Sequence, residues 1–83
     1  MSKKLGSGKV IDVQNTYDLK NIVIDEKFFT SLLKDEEDLD TIKKIEKFDI
    51  KLNNGRMLFD CEIDNQSSTD EGCVIRGYFV KFE

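Results

Sequence analysis

The stretch of sequence that decides the predicted fold is FDIKLNNGRMLFDCEIDNQSSTDEGCVIRGYFVKF, residues 48–82. Asn54-Gly55 is the dipeptide that a two-residue type I′ hairpin turn favours, because both central residues of that turn need positive φ. A turn at these two residues fixes the register of the strands on either side. The apolar pairs that it predicts are Leu52 with Met57, Ile50 with Phe59, and Phe48 with Cys61. A slip of one residue would set Ile50 against Leu58 and lose this match, so we predict the unslipped register.

A third strand is predicted within residues 73–82, after the polar and turn-rich segment 65–72. A β-bulge at Gly77 would keep the cation Arg76 away from the core side of this strand, and we favour that arrangement. The residues that the bulge would place together on the core side are Cys73, Ile75, Tyr78, Val80 and Phe82.

The alternative without a bulge produces a second apolar face. Phe79 would then lie near Leu58, with Ile75 beside them and Lys51 and Lys81 at the border. If the N-terminal strands leave these residues uncovered, they form an apolar patch of the kind that marks a protein partner or a homodimer contact. If the N-terminal strands join the same sheet and cover them, no such patch exists.

The N-terminal part of the chain is predicted to be a tail followed by a hairpin. Residues 1–8 read as a flexible tail. Residues 9–14 and 19–24 are short β-rich runs, and residues 15–18 between them contain turn-forming side chains. A hairpin of two strands follows from this pattern.

Residues 25–47 are predicted to be helical. Asp25 suits the N-cap position, and apolar residues then recur at helical spacing. This apolar stripe consists of Phe28, Phe29, Leu32 and Leu33. The acidic residues 35–38 predict a break, after which Asp40 would cap a second short helix.

Together these elements predict a single α+β domain over residues 9–83. Its antiparallel sheet consists of the N-terminal hairpin and a C-terminal three-stranded meander, and one or two helices pack against it. The predicted order is ββα(α)βββ.

Composition excludes several functions. The chain has 83 residues, no histidine and a formal net charge of −4. Without histidine, the usual general base and the usual Cys-His and Ser-His-Asp sets are missing, so we expect no enzyme and no cofactor. The absence of a long apolar run predicts no membrane span. Two cysteines and no recognisable leader predict a reduced, cytoplasmic setting.

An acidic run is the second candidate interaction site, alongside the apolar patch. It consists of Asp35, Glu36, Glu37, Asp38 and Asp40. As a metal site this run lacks the spacing and the glycine of an EF-hand loop, so we expect no metal. Two other interpretations stay open, a solvated corner between helices or a surface that mimics nucleic acid toward a basic partner.

Residues 76–82, RGYFVKF, resemble the RNP1 element of RNA-recognition motifs. One residue is missing between Tyr78 and Phe79, so these two rings should face opposite sides of the strand, where base stacking needs aromatic rings on one side. With the acidic net charge this makes a nucleic-acid partner unfavourable.

We therefore expect a small, acidic, non-enzymatic protein-interaction module. It would occupy the surface of a protein partner, as inhibitors and accessory proteins encoded by phages or mobile elements do. The bias toward Lys, Ile, Asn, Asp and Phe is typical of an AT-rich bacterial or phage genome. Nucleic-acid binding through the C-terminal meander is the alternative function.

Overall fold

The protein is a closed antiparallel β-barrel of six strands with one short helix. The computed structural model describes residues 2–12 and 15–83, of which 66% lie in strands and 9% in the helix. The strands are β1 (Ser2–Ile11), β2 (Thr16–Asp25), β3 (Phe28–Leu33), β4 (Phe48–Leu52), β5 (Met57–Thr69), β6 (Gly72–Tyr78) and β7 (Lys81–Phe82), and the helix is α1 (Glu37–Lys43). The predicted α+β fold, a sheet packed against one or two helices, is therefore wrong.

The barrel joins two meanders of three strands each. β1, β2 and β3 pair in chain order, and β4, β5 and β6 do the same after α1. β1 then pairs with β4, and β3 pairs with β6, which closes the sheet on itself. β7 pairs with the start of β5 and continues the line of β6. Closure leaves the sheet with one interior face and one outer face.

The core fills the interior of this barrel. Strand residues alternate between the interior and the outside, as the period of two along a strand requires. The fully buried side chains include Val10, Leu19, Ile22, Phe29, Leu33, Ile50, Leu52, Leu58, Cys61, Cys73 and Ile75. α1 adds Leu39 and Ile42 to the same core. It begins at Glu37, before the predicted cap Asp40, so part of the acidic run that was predicted to be a break lies in its first turn.

α1 lies along the second half of β5. The Ser68 hydroxyl donates a hydrogen bond to the Glu36 carboxylate at the start of the helix. At the other end of the helix, Ile42 and Ile45 line a shallow cavity together with Ile63 of β5. β4 pairs with β5 only up to Cys61, and the helix lies beside the part of β5 that lacks β4 as a neighbour.

The hairpin of β4 and β5 has a different turn from the predicted one. The loop has three residues, Asn53 to Gly55: the Gly55 N–H donates to the Leu52 carbonyl at 2.9 Å, and Gly55 has φ of 91°. A turn followed by a residue in the left-handed region is the common form of a three-residue hairpin loop. The strands are consequently slipped by one residue, with Ile50 opposite Leu58. This is the register that the sequence analysis rejected.

A bulge in β5 then restores the predicted pairing further along the hairpin. Asp60 has φ of 56° and lies where the register shifts, and beyond it Phe48 is opposite Cys61, as predicted. Leu58 therefore points into the core, and Met57 and Phe59 are only half-buried. The loop shifts the register of the two strands by one residue, and the bulge shifts it back, so the predicted register holds beyond the bulge.

The favoured bulge at Gly77 is also wrong. β6 runs in unbroken register against β3 from Cys73 to Tyr78, so Gly77 lies on the inward side with Ile75. Phe79 is also buried, while Arg76, Tyr78 and Val80 are exposed. The cation stays out of the core without a bulge, because the opposite set of residues points inward.

The predicted first helix is a β-strand. Residues 28–33 form β3, which pairs with β2 and with β6. Phe29, Ser31 and Leu33 point inward with alternating burial, and the Ser31 hydroxyl donates to the Lys20 carbonyl at 2.8 Å. A serine at an inward position hides the alternation of apolar residues on which a strand prediction depends.

The predicted N-terminal hairpin is present as β1 and β2, with Ile11 opposite Thr16. β1 begins at Ser2, so most of the predicted tail 1–8 is a strand paired with β2. Met1, at the start of that predicted tail, and Val13 and Gln14, at the end of the predicted strand 9–14, lie outside the described residues. The described residues contain no helix with the length and apolar character that crossing a membrane requires.

Candidate protein-binding surface

The predicted apolar patch lies inside the barrel. Leu58 and Ile75 are 0% exposed and Phe79 is 7% exposed, so the structure brings the three together in the core. Their proposed neighbours Lys51 and Lys81 are exposed. The Lys81 ammonium lies 2.8 Å from the Glu83 carboxylate. Because the apolar side chains point inward, this set of residues does not form a surface.

The acidic run occupies the loop before α1 and the first turn of α1. Asp35, Glu36, Glu37 and Asp40 are exposed and Asp38 is half-buried. Acidic side chains in the first turn interact favourably with the helix dipole, which accounts for part of this run. Among the described residues, no group of three or more His, Cys, Asp and Glu side chains is placed to hold a metal ion.

A different apolar surface is present on the outside of the barrel, where β3 and β6 pair. The register sets Phe28 opposite Tyr78 and Leu32 opposite Val74, with a Thr-Arg pair between them. We call this surface the β3–β6 face; its outward residues are Phe28, Thr30, Leu32, Val74, Arg76 and Tyr78. Three of the four exposed large hydrophobic residues of the described chain lie on it. Their exposed fractions are 45% for Phe28, 40% for Tyr78 and 37% for Val74.

The two aromatic residues of this face contact each other. Their ring centroids are 6.0 Å apart, and the ring planes meet at 60°, an edge-to-face arrangement. Such a pair favours a defined position for both rings. The β3–β6 face therefore has a fixed aromatic end.

Two cavities lie side by side along the face. One, of about 410 Å³, is lined by Leu32 and Val74 and by Asp70 and Glu71 of the turn between β5 and β6. The other, of about 430 Å³, is lined by Phe28, Arg76 and Glu26 of the turn between β2 and β3. Thr30 lines both cavities, so together they form one groove along β3.

Charges in the groove are mainly negative. Carboxylates lie at both ends, and Arg76 near the middle is the one cation among its described lining residues. The Arg76 guanidinium is already 3.5 Å from the Asp64 carboxylate, which offsets part of its charge. A ligand with positive charge at its ends complements this distribution.

The β3–β6 face was not predicted from the sequence, because the spacing of the apolar residues in 28–33 is also that of a helix. One relevant prediction is confirmed: Tyr78 and Phe79 point to opposite sides, with Tyr78 exposed and Phe79 buried. The remaining signal was the alternation of Val74, Arg76 and Tyr78 in β6, all of which point outward.

The cysteines are both free thiols buried in the barrel. Burial raises the pKa of the Cys61 thiol to about 12, with further contributions from the carboxylates of Asp49 and Asp60. The thiolate is the nucleophilic form of cysteine, so Cys61 is not a nucleophile near neutral pH.

Fold and surface together define a closed antiparallel barrel with an apolar groove on its outer wall and carboxylates at both ends of that groove. Comparisons of this chain with protein-family models, with curated proteins and with solved structures found no match.

Proposed function

We propose that this protein is a non-enzymatic protein-binding module that contacts its partner through the β3–β6 face. The observation that supports this proposal is the concentration of exposed hydrophobic residues on one face, Phe28 and Tyr78 at one end and Val74 at the other. A surface of a small domain on which exposed hydrophobic residues are concentrated commonly marks a contact with another protein. Aromatic side chains also supply much of the binding energy in such contacts.

The groove favours a protein over a nucleic acid as the partner. Phosphate groups would meet carboxylates at both ends of the groove, and the net charge of the chain is −4. Single-stranded nucleic acid also needs cations along its path and open aromatic faces for the bases. Here the two rings are packed edge to face on each other.

The mode of action that we propose is occupation of a partner's surface, as a small inhibitor or accessory protein would do. The acidic composition supports this proposal, because an acidic surface complements a basic region of a partner. The exposed carboxylates before and within the first turn of α1 enlarge the acidic surface available for such a contact.

Substitution of Tyr78 by aspartate tests the proposal. Tyr78 is 40% exposed, so we expect Tyr78→Asp to keep the barrel, as judged by circular dichroism, and to lose partner binding. The matched control is Val80→Asp. Val80 is 58% exposed but lies beyond the end of β6 and outside the β3–β6 face, so this variant should bind as the wild type does.

The measurement compares the proteins that each immobilised variant retains from a lysate of the source cells, quantified by mass spectrometry. A photo-crosslinking residue placed at position 74 should join the protein to the same partner. Equal retention by the wild type and a folded Tyr78→Asp variant would contradict the proposal. Light scattering identifies a second copy as the partner if the wild type is a dimer and Tyr78→Asp a monomer. Salt-sensitive retention of the wild type on heparin or single-stranded DNA would support the nucleic-acid alternative instead.

A further inference from the structure

We infer that the partner presents an extended segment of about seven residues, with a basic side chain at each end and apolar side chains between them. This inference rests on the proposed function, because it concerns what binds to the β3–β6 face. It follows from the shape, the charges and the length of the groove.

The shape of the groove fits an extended chain. Its two cavities share Thr30 and follow β3, so the groove is longer than it is wide along one strand. The volumes of about 410 and 430 Å³ are each large enough for more than one side chain, and their apolar linings come from Leu32 and Val74 at one end and Phe28 at the other. An extended segment places alternate side chains on one side, so it can fill both cavities at once.

The charges of the groove determine which side chains fit at the two ends of that segment. Asp70 and Glu71 lie at the end formed by the turn between β5 and β6, and Glu26 lies at the end formed by the turn between β2 and β3. Arg76 lies between the two ends and is held by Asp64. Lysine or arginine side chains therefore fit the two ends, and uncharged residues fit the middle.

The distance between the two acidic ends sets the length of the segment. From the pair Phe28–Tyr78 to the pair Leu33–Cys73 the face covers five residue steps, and the acidic turns come directly after it at each end. At about 3.4 Å per residue the two turns are about 20 Å apart. An extended chain covers that distance with about six or seven residues.

A selection from a random heptapeptide library tests the inference without assuming a sequence. The library is displayed on phage and selected on the immobilised wild type. We expect enrichment of peptides with Lys or Arg at both ends and apolar residues between them. Enrichment of peptides that lack basic ends, or no enrichment at all, would contradict the inference.

Charge reversal at one end of the groove identifies the contact. With a selected peptide, Glu71→Lys should weaken binding about fivefold in fluorescence anisotropy, the scale expected when one exposed charge pair is reversed. Glu71 uses its backbone N–H for a bond to Thr69, and the substitution preserves that bond. The matched control is Glu83→Lys, an exposed site that lines neither cavity of the groove and shares no cavity with Tyr78.

The binding of the selected peptides to the variants also distinguishes a failure of this inference from a failure of the proposed function. If Tyr78→Asp abolishes binding of the selected peptides but their ends are not basic, the face binds protein and the basic-segment inference is wrong. If the peptides bind a folded Val74→Asp variant as well as the wild type, they bind outside the groove and both proposals fail. An equal effect of Glu71→Lys and Glu83→Lys would also contradict the inference.

Discussion

Among the glycines of the chain, Gly77 lies closest to the backbone of a neighbouring strand. A Cβ atom at this position would overlap the carbonyl oxygen of Glu62 on the neighbouring strand. That contact is with backbone, which cannot rotate away as the end of a side chain can. Glycine is therefore required here for close approach of two strands, and not for a bulge as the sequence analysis proposed.

The variant Gly77→Ala should lower the free energy of unfolding by about 3 kcal/mol, because relief of the overlap requires the two strands to separate. Urea denaturation measures the change. The matched control is Gly55→Ala, at a loop position with φ of 91° where a Cβ meets no atom within 4 Å. Its cost should be only the backbone strain of about 1 kcal/mol. If the two variants are equally stable, β5 and β6 do not pack as described.

The two carboxyl-bearing residues with positive φ show why some turns could not be found in the sequence. Glu26 has φ of 54° in the two-residue turn between β2 and β3, and Asp60 has φ of 56° in the β5 bulge. Glycine and asparagine are typical of positions with positive φ and so help to predict them, whereas glutamate is not. The turn at Glu26 therefore gave no signal that a hairpin begins there, and the residues after it were assigned to a helix.

At the scale of elements, the hairpin of β4 and β5 shows how two local features combine. The loop at residues 53–55 shifts the register by one residue, and the bulge at Asp60 shifts it back. The pair of Phe48 and Cys61 could be predicted because the two shifts cancel beyond Asp60, and Ile50 points inward as predicted because the alternation of β4 itself is unbroken. Leu58 lies between the loop and the bulge, so its direction was predicted wrongly.

A pair of substitutions at Asp60 tests this bulge directly. Asp60→Val places a β-branched residue in the left-handed region, whereas Asp60→Gly places there the residue that adopts it most easily. Both variants retain the backbone N–H that donates to the Asp49 carboxylate at 3.2 Å. We expect the valine variant to be about 1–2 kcal/mol less stable than the glycine variant in urea denaturation. Equal stability of the two would mean that β5 has no such bulge at this position.

The assignment of residues 28–33 as the strand β3, and not as a helix, changes both the fold and the candidate site. Phe28, Phe29, Leu32 and Leu33 have the spacing of an amphipathic helix, and the same four residues also occur in a strand that is apolar on both faces. The inward serine of β3 makes the helical interpretation stronger, because strict apolar alternation is broken. Only the contacts of β3 with β2 and β6 decide between the two.

At the scale of the whole molecule, closure of the barrel depends on pairs that are distant in sequence. β1 pairs with β4 across about forty residues, and β3 pairs with β6 across a similar separation. Local sequence predicts hairpins between neighbouring strands, and the hairpins of β1–β2 and β4–β5 were predicted in this way. No local pattern indicates which edges of two meanders will join, so closure could not be derived.

Closure also determines which surface is available for a partner. In an open sheet, Leu58, Ile75 and Phe79 would have formed a second face, but in the barrel they fill the interior. The residues that alternate with them along the same strands therefore point outward and form the outer surface of the barrel. The candidate surface predicted from the sequence thus lies on the inward side of β6, whereas the surface that we propose lies on its outward side and includes Phe28 of β3.

The most direct test is a nuclear Overhauser measurement between the rings of Phe28 and Tyr78 in the wild-type protein. This contact exists only if residues 28–33 are a strand paired with β6 and if both rings are on the outside of the barrel. With ring centroids 6.0 Å apart, the account predicts cross-peaks between the two rings. Absence of these cross-peaks, together with contacts from residue i to residue i+3 along 28–33, would show a helix there and contradict both the barrel and the proposed binding face.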